Sequence, residues 1–290
     1  SGDVTGGYAA LSVVKLRGRA LANQAPSDSQ VLSWNAAQAE WQPVSIAQSQ
    51  WQMSGGNVYV LSGNVGLGTS VPTEQLSLTG NILIPNSTST TGIIKQGAAT
   101  LLHTYGTENT FLGKNAGSLS TGGNGRNTGI GDSALTALSA GEENTAVGAS
   151  TLKANTTGSN NVAVGSRALI AGNSSQNTAV GAQAMVATTG GTGNTALGYQ
   201  ALSLNQTGSD NVAIGRGAGP STTSGTGNVF IGPDAGAGAL ATDSGKLYIA
   251  NNSSSTLIYG DFASGRIGIG TTAPSATLHL KGASPVLRIE

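Results

Sequence analysis

From Asn144 to Gly148 the chain reads Asn-Thr-Ala-Val-Gly, and variants of this pentapeptide recur through the middle of the sequence. The copies open at Asn109, Asn127, Asn144, Asn161, Asn177, Asn194, Asn211 and Asn228, at spacings of 18, 17, 17, 16, 17, 17 and 17 residues. One such pentapeptide would mean nothing, but eight near-regular copies organise the chain. The period is too short for helical-repeat solenoids and far from a heptad. Each copy therefore predicts one rung of a β-solenoid, and at ~4.8 Å per rung eight of them make a rod of about 38 Å.

Side chains alternate in direction along a strand. The second and fourth positions of the pentapeptide, such as Thr145 and Val147, share one face. The fourth is always aliphatic, from Leu112, Ile130 and Val147 through Val164, Val180 and Leu197 to Ile214 and Ile231. This reading assigns that face to the interior. The third position faces the other way and carries Ala146, Ala163, Ala179, Ala196 and Ala213, with Gly129 in one rung and Phe111 and Phe230 at the ends. An outward column of alanine suits close approach of another backbone, so these five residues are the suspected trimer interface. The alternative is an ordinary, tightly packed wall of the roll. The closing glycines, Gly113 to Gly232, are expected at positive φ, where a side chain is penalised. The opening asparagines, from Asn109 to Asn228, are expected to stack as a structural ladder that bonds the turn backbone. A second wall follows each glycine, with Ala116, Ala134, Ala168, Ala184, Ala201, Ala218 and Ala235 three residues on and Thr151 breaking the run.

Each rung supplies only a few aliphatic side chains, worth ~1.5–3 kcal/mol each when buried. Ordering costs about 1–2 kcal/mol per residue. The balance favours an obligate oligomer.

Composition narrows the function classes. Among 290 residues, 13 basic and 13 acidic groups cancel, which leaves no electrostatic footprint for nucleic acid or an anionic membrane. Charged residues are only 9% and cysteine is absent, so there is no disulfide frame, thiolate metal site or cysteine nucleophile. No apolar run reaches the ~18 residues of a membrane span. Ser1-Gly2-Asp3 does not open a signal peptide, and Val286 to Glu290 reads as the beginning of another strand. Both ends suggest a segment of something longer.

The flanks differ from the middle. Trp34 and Trp41 lie seven residues apart, with Asn35 to Glu40 reading as a hairpin turn between two strands. The pair is either an anchor across a subunit seam or an aromatic contact within one chain. Two segments match across about 200 residues: Gly63-Asn64-Val65-Gly66-Leu67-Gly68-Thr69 with Pro72, Leu76, Leu78 and Gly80, and Gly265-Arg266-Ile267-Gly268-Ile269-Gly270-Thr271 with Pro274, Leu278, Leu280 and Gly282. Each reads strand, proline turn, strand, so one connector module brackets the solenoid.

The eight rungs resemble the left-handed parallel β-roll heads of trimeric autotransporter adhesins. The opening Ser1-Gly2-Asp3-Val4-Thr5-Gly6, with Leu16, Gly18, Ala25-Pro26, Gln30-Val31-Leu32, Trp34-Asn35, Trp41 and Pro43, resembles shaft modules of bacteriophage tail fibres. So does Lys246-Leu247-Tyr248-Ile249 through Leu257 to Asp261-Phe262 and on to Thr271. The mixture is similar to the chimeric trimeric fibres of predatory bacteria. The resemblance implies parallel homotrimers, surface display and adhesion to another cell, with recognition of a surface glycan or protein by a tip beyond Glu290. The autotransporter anchor barrel is missing, which argues against that export route.

A search for chemistry yields no catalytic set. His279 alternates with Leu278 and Leu280 and is expected off the apolar face. His103 sits just before the first rung and could cap the roll. Glu142-Glu143 is the one adjacent acidic pair and reads as a solvated corner. Gly215-Arg216-Gly217-Ala218-Gly219 lacks the Lys-Ser/Thr ending of a phosphate loop, and Gly122-Gly123-Asn124-Gly125 lacks the aspartate of calcium-binding rolls.

The sequence thus predicts an all-β homotrimeric fibre. Its parts are a tail-fibre-like shaft module over 1–52, a β-prism or connector module over 53–100, an eight-rung left-handed β-roll over 101–240 and a second connector over 241–290. The expected function is non-catalytic, multivalent attachment to prey or host cells from a bacterial surface, with no cofactor or metal, no nucleic-acid partner and no membrane insertion by this segment. A phage or prophage tail fibre on a virion is the alternative, and a carbohydrate-cleaving tailspike a weaker one.

Overall fold

The computed structural model describes residues 4–5, 12–13, 15–17, 19–22, 30–45, 51–54, 57–60, 63–119, 125–283 and 285–288. Ser1-Gly2-Asp3, Gly6, Gly18, Ala25-Pro26, Gly122-Gly123-Asn124 and Ile289-Glu290 lie outside them. The described residues contain strands and turns and no helix. The chain divides into two compact units, Ser1–Leu83 and Ile84–Glu290.

The first unit contains a four-stranded sheet in the order Lys15–Leu16, Arg19–Leu21, Glu40–Ser45, Gln30–Asn35. The last two strands form the expected hairpin, with Trp34 opposite Trp41. Asn35 sets the turn: its Oδ1 accepts the N–H groups of Ala37 at 3.0 Å and Gln38 at 3.2 Å.

The second unit is dominated by a 14-stranded sheet. The pentapeptides contribute eight three-residue strands, from Thr110–Leu112 to Val229–Ile231, each parallel to the next and in register, second position on second, third on third, fourth on fourth. Lys246–Ala250 adds a ninth parallel strand that carries no pentapeptide. The sheet forms a β-solenoid, as the period requires.

The asparagine ladder fixes the register. Asn144 Oδ1 accepts both the backbone N–H and the Nδ2 of Asn161, at 3.1 and 2.9 Å. Asn161 Nδ2 also donates to the Ser174 carbonyl at 2.8 Å. The same two-way pattern links Asn109 to Asn127, Asn127 to Asn144, Asn177 to Asn194, Asn194 to Asn211 and Asn211 to Asn228. All eight asparagines are buried, so each amide spends its hydrogen-bonding capacity inside the roll. The ladder ends where Asn228 Oδ1 accepts the N–H of Lys246 at 3.0 Å. Lysine stands where the next asparagine would, and its ammonium turns instead to Asp261 at 3.0 Å.

The facing of the strands is the reverse of the sequence assignment. Ala146, Ala163, Ala179, Ala196 and Ala213 have no exposed surface within a single chain. They line the core, so they are not an outward stripe and a neighbouring chain cannot reach them. The fourth-position aliphatics point outward. The physical reason is parity. The ladder asparagine and the third-position residue are two apart and share a face, and a ladder that excludes water draws that face inside.

The interior is narrow, and its columns compensate in size. Six residues after each third position lies a residue from the opposite wall: Leu152 for Ala146, Leu169 for Ala163, Met185 for Ala179 and Leu202 for Ala196, all fully buried. Where the third position is phenylalanine, the partner is glycine. A Cβ on Gly117 would meet Phe111 Cγ at 2.4 Å, and one on Gly236 would meet Phe230 Cδ1 at 2.3 Å. Each ring also fills over its inward neighbour, Phe111 over Gly129 and Phe230 over Gly219. Thr151 stands in the alanine column with its buried hydroxyl within 2.9 Å of the Gly148 carbonyl and 2.8 Å of the Gly165 carbonyl.

The corners turn through left-handed backbone. The closing glycines have φ of 107–140°, and a Cβ on Gly165 would lie 2.6 Å from the Gly181 carbonyl carbon. Four residues on, Leu135, Leu152, Leu169, Met185 and Leu202 adopt φ of 49–54°. Such a conformation costs a bulky residue on the order of 1 kcal/mol. It is held because each of these N–H groups bonds to the next rung, as Met185 does to the Ala201 carbonyl at 2.9 Å.

The two connector copies share one structure. Val65–Leu67 pairs in parallel with Leu76–Leu78, and Ile267–Ile269 with Leu278–Leu280, each 11 residues apart. Thr69 and Thr271 each accept an N–H two residues on, from Val71 and Ala273, both at 3.2 Å.

Two substitution sets test this packing by urea denaturation. Asn161→Ala orphans the Asn177 N–H and the Ser174 carbonyl and is expected to cost about 2–5 kcal/mol, whereas Asn160→Gly, at an exposed left-handed corner, should be near neutral. Phe230→Ala should cost about 3–5 kcal/mol and Gly236→Leu about 1–3 kcal/mol. Their combination recreates the alanine–leucine rung and should be milder than the sum of the two; strict additivity would refute the size compensation.

Candidate functional site

Because the strands alternate, burying the alanines puts the second and fourth positions on the outer face of the sheet. Leu112, Ile130, Val164, Leu197, Ile214 and Ile231 are 36–47% exposed, and Val147 and Val180 are half-buried. Parallel in-register pairing aligns these eight side chains in one unbroken column, which Ile249 extends onto the ninth strand. Beside it runs a second column of Thr110, Thr128, Thr145, Val162, Thr178, Thr195, Val212 and Val229. This face bears no charged side chain from Thr110 to Ile231. It is the most extended exposed apolar surface of the roll, and apolar stripes of this kind mark contact surfaces.

The other sequence candidates sit elsewhere. Trp34 and Trp41 meet edge to face within one chain, ring centroids 5.7 Å apart, and the Arg19 guanidinium lies 4.3 Å from the Trp34 ring centre. Glu143 bonds Arg126 at 2.7 Å one rung below, and Arg216 bonds Asp234 at 2.6 Å in the same cross-rung fashion. Both are surface pairs of small energetic weight. His279 is half-buried, with Nδ1 3.3 Å from the Ser275 N–H. The Ser275 hydroxyl also lies 3.4 Å from Nδ1, and among the described residues no aspartate or glutamate is bonded to either imidazole.

His103 does cap the first rung. It is buried, with its ring centroid 4.9 Å from that of Phe111. Nδ1 accepts the Tyr105 N–H at 3.3 Å, so the proton resides on Nε2, which donates to the Ala116 carbonyl at 2.7 Å. Burial pushes the imidazole below its ordinary value, and the bond to Ala116 offsets this only in part. At the other end of the unit, the Lys246 ammonium holds the Asp261 carboxyl down at about 2.

Groups of three or more histidine, aspartate or glutamate side chains able to hold a metal are absent among the described residues. No protein-family model, curated protein or solved structure matches the chain.

The outward facing of the aliphatic column has a signal in the sequence. The pairing of Phe111 with Gly117 and of Phe230 with Gly236 at a constant offset of six marks the third position as facing another wall of the same chain.

Stability should vary with pH in two separate windows. His103 has a lowered folded pKa, so its contribution is complete above the unfolded value of 6.5 and declines as pH falls below it. Asp261 contributes above 3.8, a contribution lost as pH falls toward about 2. Thermal melts from pH 8 to pH 3 should show the first decline in the wild type and a flat response over that window in His103→Gln.

Proposed function

We propose that this chain is a segment of a homotrimeric adhesive fibre displayed on a bacterial surface, with the roll as its rigid body and the duplicated connectors as β-prism-like shaft joints. The observation that carries the reading is the aliphatic column on the outer sheet face. Eight in-register side chains spaced by ~4.8 Å extend over about 34 Å. Packing three copies around a common axis parallel to the column would bury all of it, and the same geometry would serve every rung because the rungs are alike. The number three rests on the resemblance to trimeric adhesin heads and tail-fibre shafts. The suspected interface thereby moves from the alanines to the fourth-position residues.

Adhesion rather than catalysis fits the remaining surface. Its acidic groups are few, and Glu143 and Asp234 are engaged in cross-rung ion pairs. Three copies present every loop three times, so weak single contacts multiply into useful avidity.

Sedimentation velocity at several micromolar dilutions tests the proposal. The wild type should sediment with the mass of three chains. Val164→Lys with Leu197→Lys should yield a folded monomer with an unchanged β-type circular dichroism spectrum. Lys153→Glu, on an exposed corner away from the column, should leave the trimer intact. A folded wild-type monomer would overturn the reading.

A further inference from the structure

The interior column of the roll does not stop at the last pentapeptide. It continues in register from Ala213 to Phe230, Tyr248, Tyr259 and Gly268. Phe230 and Tyr248 stack at 5.4 Å with an interplanar angle of 11°, and Tyr259 meets Tyr248 edge-on at 5.3 Å. Here the chain ceases to coil. Thr256–Asp261 runs back antiparallel to Lys246–Ala250, so the inner face of these strands receives no further rung. A cleft of about 700 Å³ results, bounded by the Gly236–Gly238 corner, the 252–256 turn and the Gly270–Ala273 loop.

We propose that this cleft is a binding site for a neutral saccharide. Tyr248 and Tyr259 close its inner end, both buried. Asp243 is fixed at its margin: one carboxylate oxygen accepts the Leu240 N–H at 2.9 Å and the Tyr248 hydroxyl at 3.3 Å. That leaves the other oxygen as an acceptor for a ligand's paired hydroxyls. The opposite wall is built of hydroxyls on a preformed loop, because Asn252 Oδ1 accepts the N–H groups of Ser254 at 2.8 Å and Ser255 at 2.9 Å. Ser254 and Thr272 then line the opening. Asp243 and Lys281 are the charged residues that line it, one of each sign, so the lining carries no net charge to favour an anion or a cation. The hydroxyls of the 253–256 and 271–272 segments and one carboxylate beside an aromatic end match a polyhydroxylated, uncharged ligand, and the volume accommodates two sugar rings.

The site is complete within one chain. Its aromatic residues lie on the sheet face opposite the aliphatic column, since Tyr248 is in register with Phe230 and Ile249 with Ile231. Assembly through the column therefore leaves it open. The inference gives the adhesive reading a ligand class and depends on that reading only for its biological use.

Saturation-transfer NMR on the full chain, with a panel of neutral di- and trisaccharides and with sialic acid, inorganic phosphate and a neutral tripeptide as comparators, tests it. At least one neutral saccharide should bind. Thr272→Trp, which plugs the opening from an exposed loop, should weaken that binding at least tenfold, and Asp243→Asn should weaken it to a lesser degree. Ser264→Trp, outside the cleft, should leave it unchanged. Binding of phosphate, sialic acid or the tripeptide alone, binding of nothing, or saccharide binding that survives Thr272→Trp would each overturn the inference. Sedimentation of the same samples separates the two readings: a monomer that binds saccharide sinks only the trimer, and a trimer that binds none sinks only the cleft.

Discussion

A single side-chain amide joins each rung to the next. Between its two ends, each ladder asparagine accepts through Oδ1 from the next asparagine and donates through Nδ2 to a carbonyl of the following turn, as Asn144 does to Gly158 at 2.9 Å. Buried amides of this kind are costly when unpaired and specific when paired. The ladder therefore dictates register, which residues face inward and where the roll ends. It also tolerates irregularity. At the one 16-residue spacing, Asn177 keeps its backbone bond to Asn161 Oδ1 but sends Nδ2 to the Ser175 carbonyl instead. The strands on either side nevertheless stay in register, Ala163 opposite Ala179.

With the asparagine face inside, little room is left for anything else. That scarcity explains the alanines, the leucines opposite them and the exchange of size at the two ends, where phenylalanine faces glycine. There the larger ring also fills the space over the glycine of the inward rung, Gly129 beside Phe111 and Gly219 beside Phe230. Phe111 then receives His103 and Phe230 receives Tyr248, so the stack is closed by aromatic groups at both ends. The outer face is free of these demands, and its persistent Val, Ile and Leu are the ground on which the proposed assembly rests.

Much of this was legible in the sequence. The rung period, the asparagine ladder, the positive φ of the closing glycines, the Asn35–Glu40 turn, the cap at His103 and the kinship of the two connectors all follow from spacing and residue type. Three features were not legible, for distinct reasons. Alternation says that Ala163 and Val164 point apart but not which one points inward; hydrophobicity favoured valine, and space favoured alanine. Leu152 and its equivalents adopt a left-handed backbone that their own chemistry disfavours, and only the bonds to the next rung hold it there. The ninth strand lacks the pentapeptide because Lys246 replaces asparagine, which hides the point where coiling gives way to a hairpin. The cleft exists because of that change and was hidden with it.

The hydrogen bonds between rungs lie along the stacking direction, and this has a mechanical consequence. Tension applied along that direction loads them end-on, one rung at a time, rather than shearing many together. Each detached rung frees about 17 residues, or close to 56 Å of slack at ~3.3 Å per residue. Stretched from its ends, the roll would act as a shock absorber that lengthens in regular increments and can re-form rung by rung once the load is removed.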